Sequence, residues 1–352
     1  MANPCVEVDN GGSYYRYRGS IIGAPASLRP GHECQIDLEA VPPPAIVATL
    51  ENVRVHGRCV IETADGCLIR ESLINTGAEF GPFRREADRS IVKTSQPVAT
   101  PWVGERPVVL LKQEWDRNYG HWLIESLPRL GMISECFDIT ECQFIVGDSS
   151  GPIGKVYRDS LTRLGVPAAN IVPLADGAVE FAQLIYPTPI TVQPWIKAPR
   201  VINFLEALAR HSSHHRPGPQ KIYVARSPGD SRRLMNEEPI LRILTRAGYQ
   251  GVTPGSLDFE AQVAAFRDAT HVVGILGAGL SNLVFAPRGV QFLALTSEYM
   301  QDDFFWDLIC HKAGSYTSLH GKAIDPGAGM RSHFTLDEAE FVKCFAQFDA
   351  NP

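Results

Sequence analysis

The sequence predicts an α/β protein: two consecutive βαβ domains, each built on a mostly parallel sheet, with a β-rich elaboration at the N-terminus. Three observations carry this expectation. From Val108 onward, short apolar runs alternate with segments of helical spacing. A length of 352 residues exceeds one ordinary domain and makes two cores the natural division. The residues before that point differ in texture, being rich in Gly, Pro and brief β-like runs. The expected boundaries are 1–105, 106–195 and 196–352.

In the first segment, Val53–Val55, Cys59–Ile61 and Cys67–Leu73 read as strands, and Asp65-Gly66 is a hairpin signal. In the second, Val108–Leu111 suits a buried strand and His121–Phe137 has helical spacing. Pro128 lacks an amide hydrogen and clashes with the carbonyl four residues back, so that helix should kink or restart near Ile124. Phe144–Val146 reads as a strand, Val156–Leu164 as a helix closed by Gly165, and Leu184–Tyr186 as another strand. Pro187–Pro199 holds four prolines and is the expected interdomain hinge.

The third segment repeats the rhythm. Helix Ile202–Arg210 leads to strand Ile222–Ala225, and Asn236 is placed to cap a helix Glu237–Ala247. Helix Phe259–Arg267, strand His271–Leu276, a short helix Ser281–Phe285, strand Gln291–Leu295 and helix Asp303–Ala313 follow. Thr335 with Glu338 forms a capping-box pattern for a last helix ending near Phe348.

Composition bounds the function. Hydrophobic residues at 44% and charged residues at 20% are ordinary for a globular chain. A net charge of −6 argues against nucleic acid as the main partner, since binding the phosphate backbone needs a basic field. The eight cysteines are scattered without a C-x-x-C pair, and Cys310 and Cys344 sit in apolar runs. They read as buried hydrophobes in a reducing compartment, with neither a zinc site nor a disulfide framework. The N-terminus has no basic-then-apolar leader pattern, and no stretch approaches the ~18 apolar residues of a membrane span. The expected location is cytoplasmic, with peripheral attachment at the inner face of a membrane as a further expectation.

Three segments could carry chemistry. In HVVGILGAGLSN a buried strand runs into Gly277-Ala278-Gly279 and then a helix start at Ser281. Such glycines let a ligand approach the backbone, and helix-terminal N–H groups suit a phosphate. The same pattern partly matches a dinucleotide fingerprint, with Glu298 near the place of the ribose-binding acid, but Asn282 fills the third glycine position. In ARSPGDSRRLMNE, Arg226 ends a strand while Arg232 and Arg233 precede a helix; together they could neutralise a pyrophosphate. In NYGHWLIESLPR, His121 and Glu125 stand four apart on one helical face, and either could deprotonate a hydroxyl. His211, His214 and His215 lie in a Pro/Gly loop and read as linker rather than metal ligands. No D-x-D triplet occurs, so arginines and a helix terminus are left to meet phosphate charge.

In this order, NYGHWLIESLPRL, ARSPGDSRRLMNE and FEAQVAAFRDATHVVGILGAGLSNLVFAPRG resemble glycosyltransferase family 61, often found as bacterial capsular polysaccharide biosynthesis proteins. The resemblance spans roughly Val108 to Ala323, and the strands around NVRVHGRCVIETADGCLIRES look like the family's N-terminal region. It implies a GT-B-like arrangement of two Rossmann-like domains facing across a cleft. It also implies inverting, metal-independent transfer from a nucleotide-sugar, expected to be UDP-linked, to a glycan or lipid-linked glycan acceptor. No cofactor beyond the donor substrate is implied. By position, Arg226, Arg232 and Arg233 would face the diphosphate, and Gly277, Ala278, Gly279, Leu280, Ser281 and Asn282 would form its turn, with Glu298 nearby. Glu125 is the expected base, His121 the second choice, and Asn118, Tyr119 and Trp122 would lie on the acceptor side. Leu276 stands where the family commonly has a histidine, and Leu293-Ala294-Leu295 where an acid often ends the strand. Two alternatives stay open: an NAD(P)-binding oxidoreductase, and a catalytically silent relative that binds a nucleotide or glycan.

Overall fold

In the computed structural model, which describes residues 5–23, 37–57, 59–73, 100–210, 217–227, 229–300 and 302–350, the chain divides into two units. One is Met1–Gly12 with Val41–Phe204; the other is Ser13–Ala40 with Leu205–Pro352. The expected segment 1–105 is thus shared between them. The loop holding His211, His214 and His215 lies outside the described residues.

The first unit is built on a mixed sheet in the order Cys5–Val8, Ala45–Gly57, Gly177–Pro187, Val108–Leu110, Gln143–Val146, Ile171–Pro173. The last four strands are parallel to one another, as apolar runs joined by helices lead one to expect. Ala45–Gly57 runs antiparallel to Gly177–Pro187 and puts Leu50, Val53 and Val55 into the same core as Leu110, Ile145 and Leu184. A segment read as a peripheral elaboration therefore contributes an inner strand. Its period is broken at Asn52, which takes a left-handed φ of 52°, and that break hides its length from pattern reading.

The helical run after Asn118 comes in three parts: Tyr119–His121, a widened turn at Trp122–Ser126, and Arg129–Cys136. Leu127 N–H donates to the Trp122 carbonyl five residues back at 2.9 Å. Widening the turn accommodates Pro128, whose ring would otherwise press on the carbonyl of Ile124. The restart expected there is observed, and Glu125 sits inside the widened turn.

The proline-rich segment is not a free hinge. Thr191–Val192 and Ile196–Lys197 form a hairpin, Ala198 N–H bonds the Ile190 carbonyl at 2.9 Å, and Ile190 and Ala198 are fully buried. Backbone that is already paired and packed cannot swing freely. The division between units falls between Phe204 and Leu205, inside the helix Pro199–Arg210.

The second unit carries parallel strands in the order Gln250–Val252, Lys221–Val224, His271–Ile275, Gln291–Ser297, Ser315–Ala323, with short Phe334–Thr335 antiparallel at the end. Numbered along the chain, the parallel strands read 2-1-3-4-5, a doubly wound order. Ser20–Ile22 adds to Ser315–Ala323, and nearby Tyr14 hydrogen-bonds Asp307 while Arg16 lies 5.0 Å from the Trp306 ring. An early stretch of chain is thereby fixed to the helix Phe304–His311.

Two caps differ from expectation. Asn236 does not cap its helix; its amide bonds the Leu336 carbonyl at 2.8 Å and its oxygen accepts from Leu336 N–H at 3.1 Å. Thr335 is held in a strand with Lys322, and Asp337 caps the last helix instead, accepting from Glu340 N–H at 2.8 Å. A side chain committed to a neighbouring strand is not available to a helix end. Among the described residues no helix is long and apolar enough to cross a membrane.

Candidate active site

In the second unit, the order of parallel strands switches between Lys221–Val224 and His271–Ile275, and ligands of open α/β sheets bind beyond the carboxyl ends at such a point. Arg226 and Gly277 each follow one of these strands by two residues. The Arg226 guanidinium lies over Gly277: Nη1 donates to the Leu276 carbonyl at 3.3 Å, and Nη2 is 3.5 Å from Asp230. A Cβ on Gly277 would stand 1.6 Å from Nη1. Gly277 has φ 177°, extended backbone open to any residue, so space rather than conformation demands a glycine here.

Arg232 joins this edge. Its φ of 62° is left-handed, a conformation costing a non-glycine residue about 1–2 kcal/mol. Its Nη1 lies 3.7 Å from the Met300 sulfur. Burial first, then the Arg232 charge, draws Arg226 below the ordinary arginine range, and Asp230 opposes. Arg232 is drawn down by burial and by Arg331, against Asp302 and Asp230. The buried Nε of each finds no hydrogen-bond partner among the described residues. Two half-buried cations in mutual repulsion, one held by strained backbone, are stabilised when an anion enters between them.

The other expected donor residues take different parts. Arg233 is engaged through its backbone, N–H to His333 Nδ1 at 3.1 Å and carbonyl to Phe334 N–H at 3.0 Å. The short helix spans Ala278–Phe285, three residues earlier than Ser281. Leu280, Ser281 and Asn282 are buried, while Ala278 and Gly279 are partly open. Asn282 ties the turn from beneath, donating to Gln262 at 2.8 Å and to the Gly279 carbonyl at 3.0 Å. Glu298 accepts from Ala323 N–H at 3.1 Å, which secures a strand end.

In the first unit, His121 Nδ1 lies 2.8 Å from Glu125 Oε1. Gln113 donates to Glu125 Oε2 at 3.0 Å, and Gln193 donates to Oε1. Burial pushes the Glu125 carboxyl up, but the charge and hydrogen bond of His121, the Gln193 amide and the Lys197 charge outweigh it and leave it below its ordinary value. Glu125 is therefore an ionised carboxylate and a poor proton acceptor. Nδ1–H donates to that carboxylate, so once the imidazolium gives up a proton the lone pair of the neutral ring is directed to Nε2. Trp115 stands 5.1 Å from the His121 ring with part of its face exposed, and both Trp115 and Glu125 line a pocket.

Asn118 caps the helix at Gly120 N–H, 2.9 Å away, and Tyr119 is half-buried. Trp122, expected on the acceptor side, is instead core: it is 0% exposed and its indole N–H donates to Ser160 at 3.0 Å. The widened turn directs it inward, away from any approach by a ligand.

Sequence reading passed over Gln113, Gln193, Arg129 and Asp116. Arg129 is fully buried, donates to the carbonyls of Leu111 and Pro187, and lines the same pocket as Glu125 and Gln193. Its place four residues after Glu125 was a legible signal; Gln193, inside the proline-rich segment, offered none. Asp116 is buried, and its carboxyl is pushed up to about 6 by burial, against the Gln113 amide and the Lys112, Arg129 and Arg117 charges. A carboxyl raised in the folded state binds its proton more tightly there than in the unfolded chain. Its stabilising contribution is present in acid and lost as pH rises from about 4 to about 6. Asp116→Asn should therefore gain stability relative to the parent between acid and neutral pH. Urea unfolding on both sides of that window tests this, and an equal difference on both sides would remove the assignment.

The turn, the arginine segment and the His121–Glu125 pair all lie within one stretch of recognisable sequence. Residues 119–293 match the family Glycosyltransferase 61. The match supports glycosyltransferase family 61, and that family implies glycosyltransferase activity, with a sugar donor and a glycan acceptor. A search of curated proteins finds no match to the chain. The family 61 match begins one residue after the helix cap Asn118 and ends inside the strand that follows the Gly277 turn.

Proposed function

We propose that this protein is an inverting, metal-independent glycosyltransferase that uses a nucleotide-sugar donor, UDP-linked, and a glycan or lipid-linked glycan acceptor. The observation that carries the reading is the Arg226 guanidinium lying on Gly277 at the switch point of the second sheet, beside Arg232. That edge would hold the two linked phosphates, with the partly open residues Ala278 and Gly279 beside them.

The first unit would activate the acceptor. Here the order of preference reverses relative to sequence: His121 is assigned as the base and Glu125 as the carboxylate that positions it, because Glu125 is held ionised by its neighbours. The acceptor oxygen forms a bond to the anomeric carbon as the bond from that carbon to the phosphate oxygen breaks. The acceptor proton passes to His121 Nε2, and the nucleoside diphosphate leaves with its charge met by Arg226 and Arg232. One displacement inverts the anomeric centre.

Thermal shift against a panel of UDP-sugars, GDP-sugars, NAD and NADP tests the class. A ligand at about 100 times its Kd stabilises by about 2.7 kcal/mol, so a nucleotide-sugar is expected to raise Tm clearly. Stabilisation by NAD or NADP alone would refute the reading. Nucleotide-sugar binding without release of nucleoside diphosphate, tested with a mixture of glycan acceptors, would leave a silent relative in its place.

A further inference from the structure

The edge of the second sheet opposite Arg226 carries a second basic cluster. Arg288 and Lys312 lie on segments that enter the strands Gln291–Ser297 and Ser315–Ala323 rather than leave them. They line an open pocket together with Arg210, Arg267, Glu206 and Phe285. The lining holds four cations and one acid, in a chain whose net charge is −6.

The acid is already engaged. Glu206 Oε1 lies 2.5 Å from Lys312 Nζ, which also donates to the Val284 carbonyl at 3.0 Å. Arg267 is 3.7 Å from Asp268, while Arg210 and Arg288 reach solvent. Burial first draws Lys312 below the ordinary lysine range; Glu206 opposes, and the Arg288 and Arg210 charges add to the fall. The cations thus act on one another, and an anion among them would relieve that repulsion.

We infer that this pocket is an anion site for a phosphate group, separate from the edge at Arg226. The guanidinium groups of Arg210, Arg267 and Arg288 are the donors, Lys312 is the buried positive floor, and Phe285 gives an apolar wall beside them. A lipid headgroup and a free phosphate ester offer the same chemistry to it.

The test uses the full chain carrying Arg226→Ala, so that the first phosphate edge is weakened. One arm measures flotation with phosphatidylcholine vesicles with and without phosphatidylglycerol; the other measures pyrophosphate binding by calorimetry. Binding in the vesicle arm identifies a headgroup, and binding in the pyrophosphate arm alone identifies a free ligand. Adding Arg267→Ala and Arg288→Ala should weaken whichever is seen by about 30-fold. Arg288→Glu, at an exposed position, provides a second variant with little risk to folding, and it should weaken binding in the same direction. Binding in neither arm, or binding undiminished in both variants, would overturn the proposal.

Discussion

His121→Ala is expected to slow sugar transfer by about 10²–10⁴-fold while the affinity for the donor stays unchanged. The ionic state of its neighbour decides this. Glu125 receives Gln113 on one oxygen and Gln193 with His121 on the other, and ends below its ordinary carboxyl value. Such a carboxylate accepts a proton poorly but orients an imidazole well. Glu125→Gln should therefore retain part of the activity lost in His121→Ala. It should also shift the acid limb of the kcat profile to lower pH, because removing a negative neighbour makes the imidazole less basic. The measurement is kcat against pH for the parent and both variants. If Glu125→Gln abolished transfer while His121→Ala left it near the parent rate, Glu125 would be the base.

How much of this was legible differs from element to element. The strands at Val108, Gln143, Lys221, His271 and Gln291 were readable because each is a compact apolar run bounded by polar or glycine-bearing turns. Ala45–Gly57 was not, since its inner position depends on pairing with Gly177–Pro187, far along the chain. Ser20–Ile22 is too short to announce itself, and its place beside Ser315–Ala323 is a tertiary fact. At the site, residue types and spacing exposed Arg226, the Gly277 turn and the His121–Glu125 pair. Spacing alone did not separate Trp122 from its neighbours, because the widened turn at Pro128 decides which side chains face inward. Gln193 reaches Glu125 only because its proline-rich segment folds as a hairpin.

The second large effect concerns Arg226 and the glycine beneath it. Arg226→Ala should weaken nucleotide-sugar binding by about 10- to 100-fold, the loss usual for a charge-assisted hydrogen-bonding group. Gly277→Ala tests the geometry independently. Alanine adopts φ 177° without strain, so the backbone has no reason to change, yet its Cβ would fall 1.6 Å from Arg226 Nη1 and must displace the guanidinium. Gly277→Ala is therefore expected to reproduce most of the Arg226→Ala loss with the arginine still present. The two changes act on one contact, so the double variant should be little worse than Arg226→Ala alone, measured as donor Kd in a double-mutant cycle. Additive losses would mean that Gly277 meets the ligand by itself. Full donor affinity in Gly277→Ala would mean that the position of Arg226 over the turn has no part in holding phosphate, and the donor assignment to this edge would fall with it.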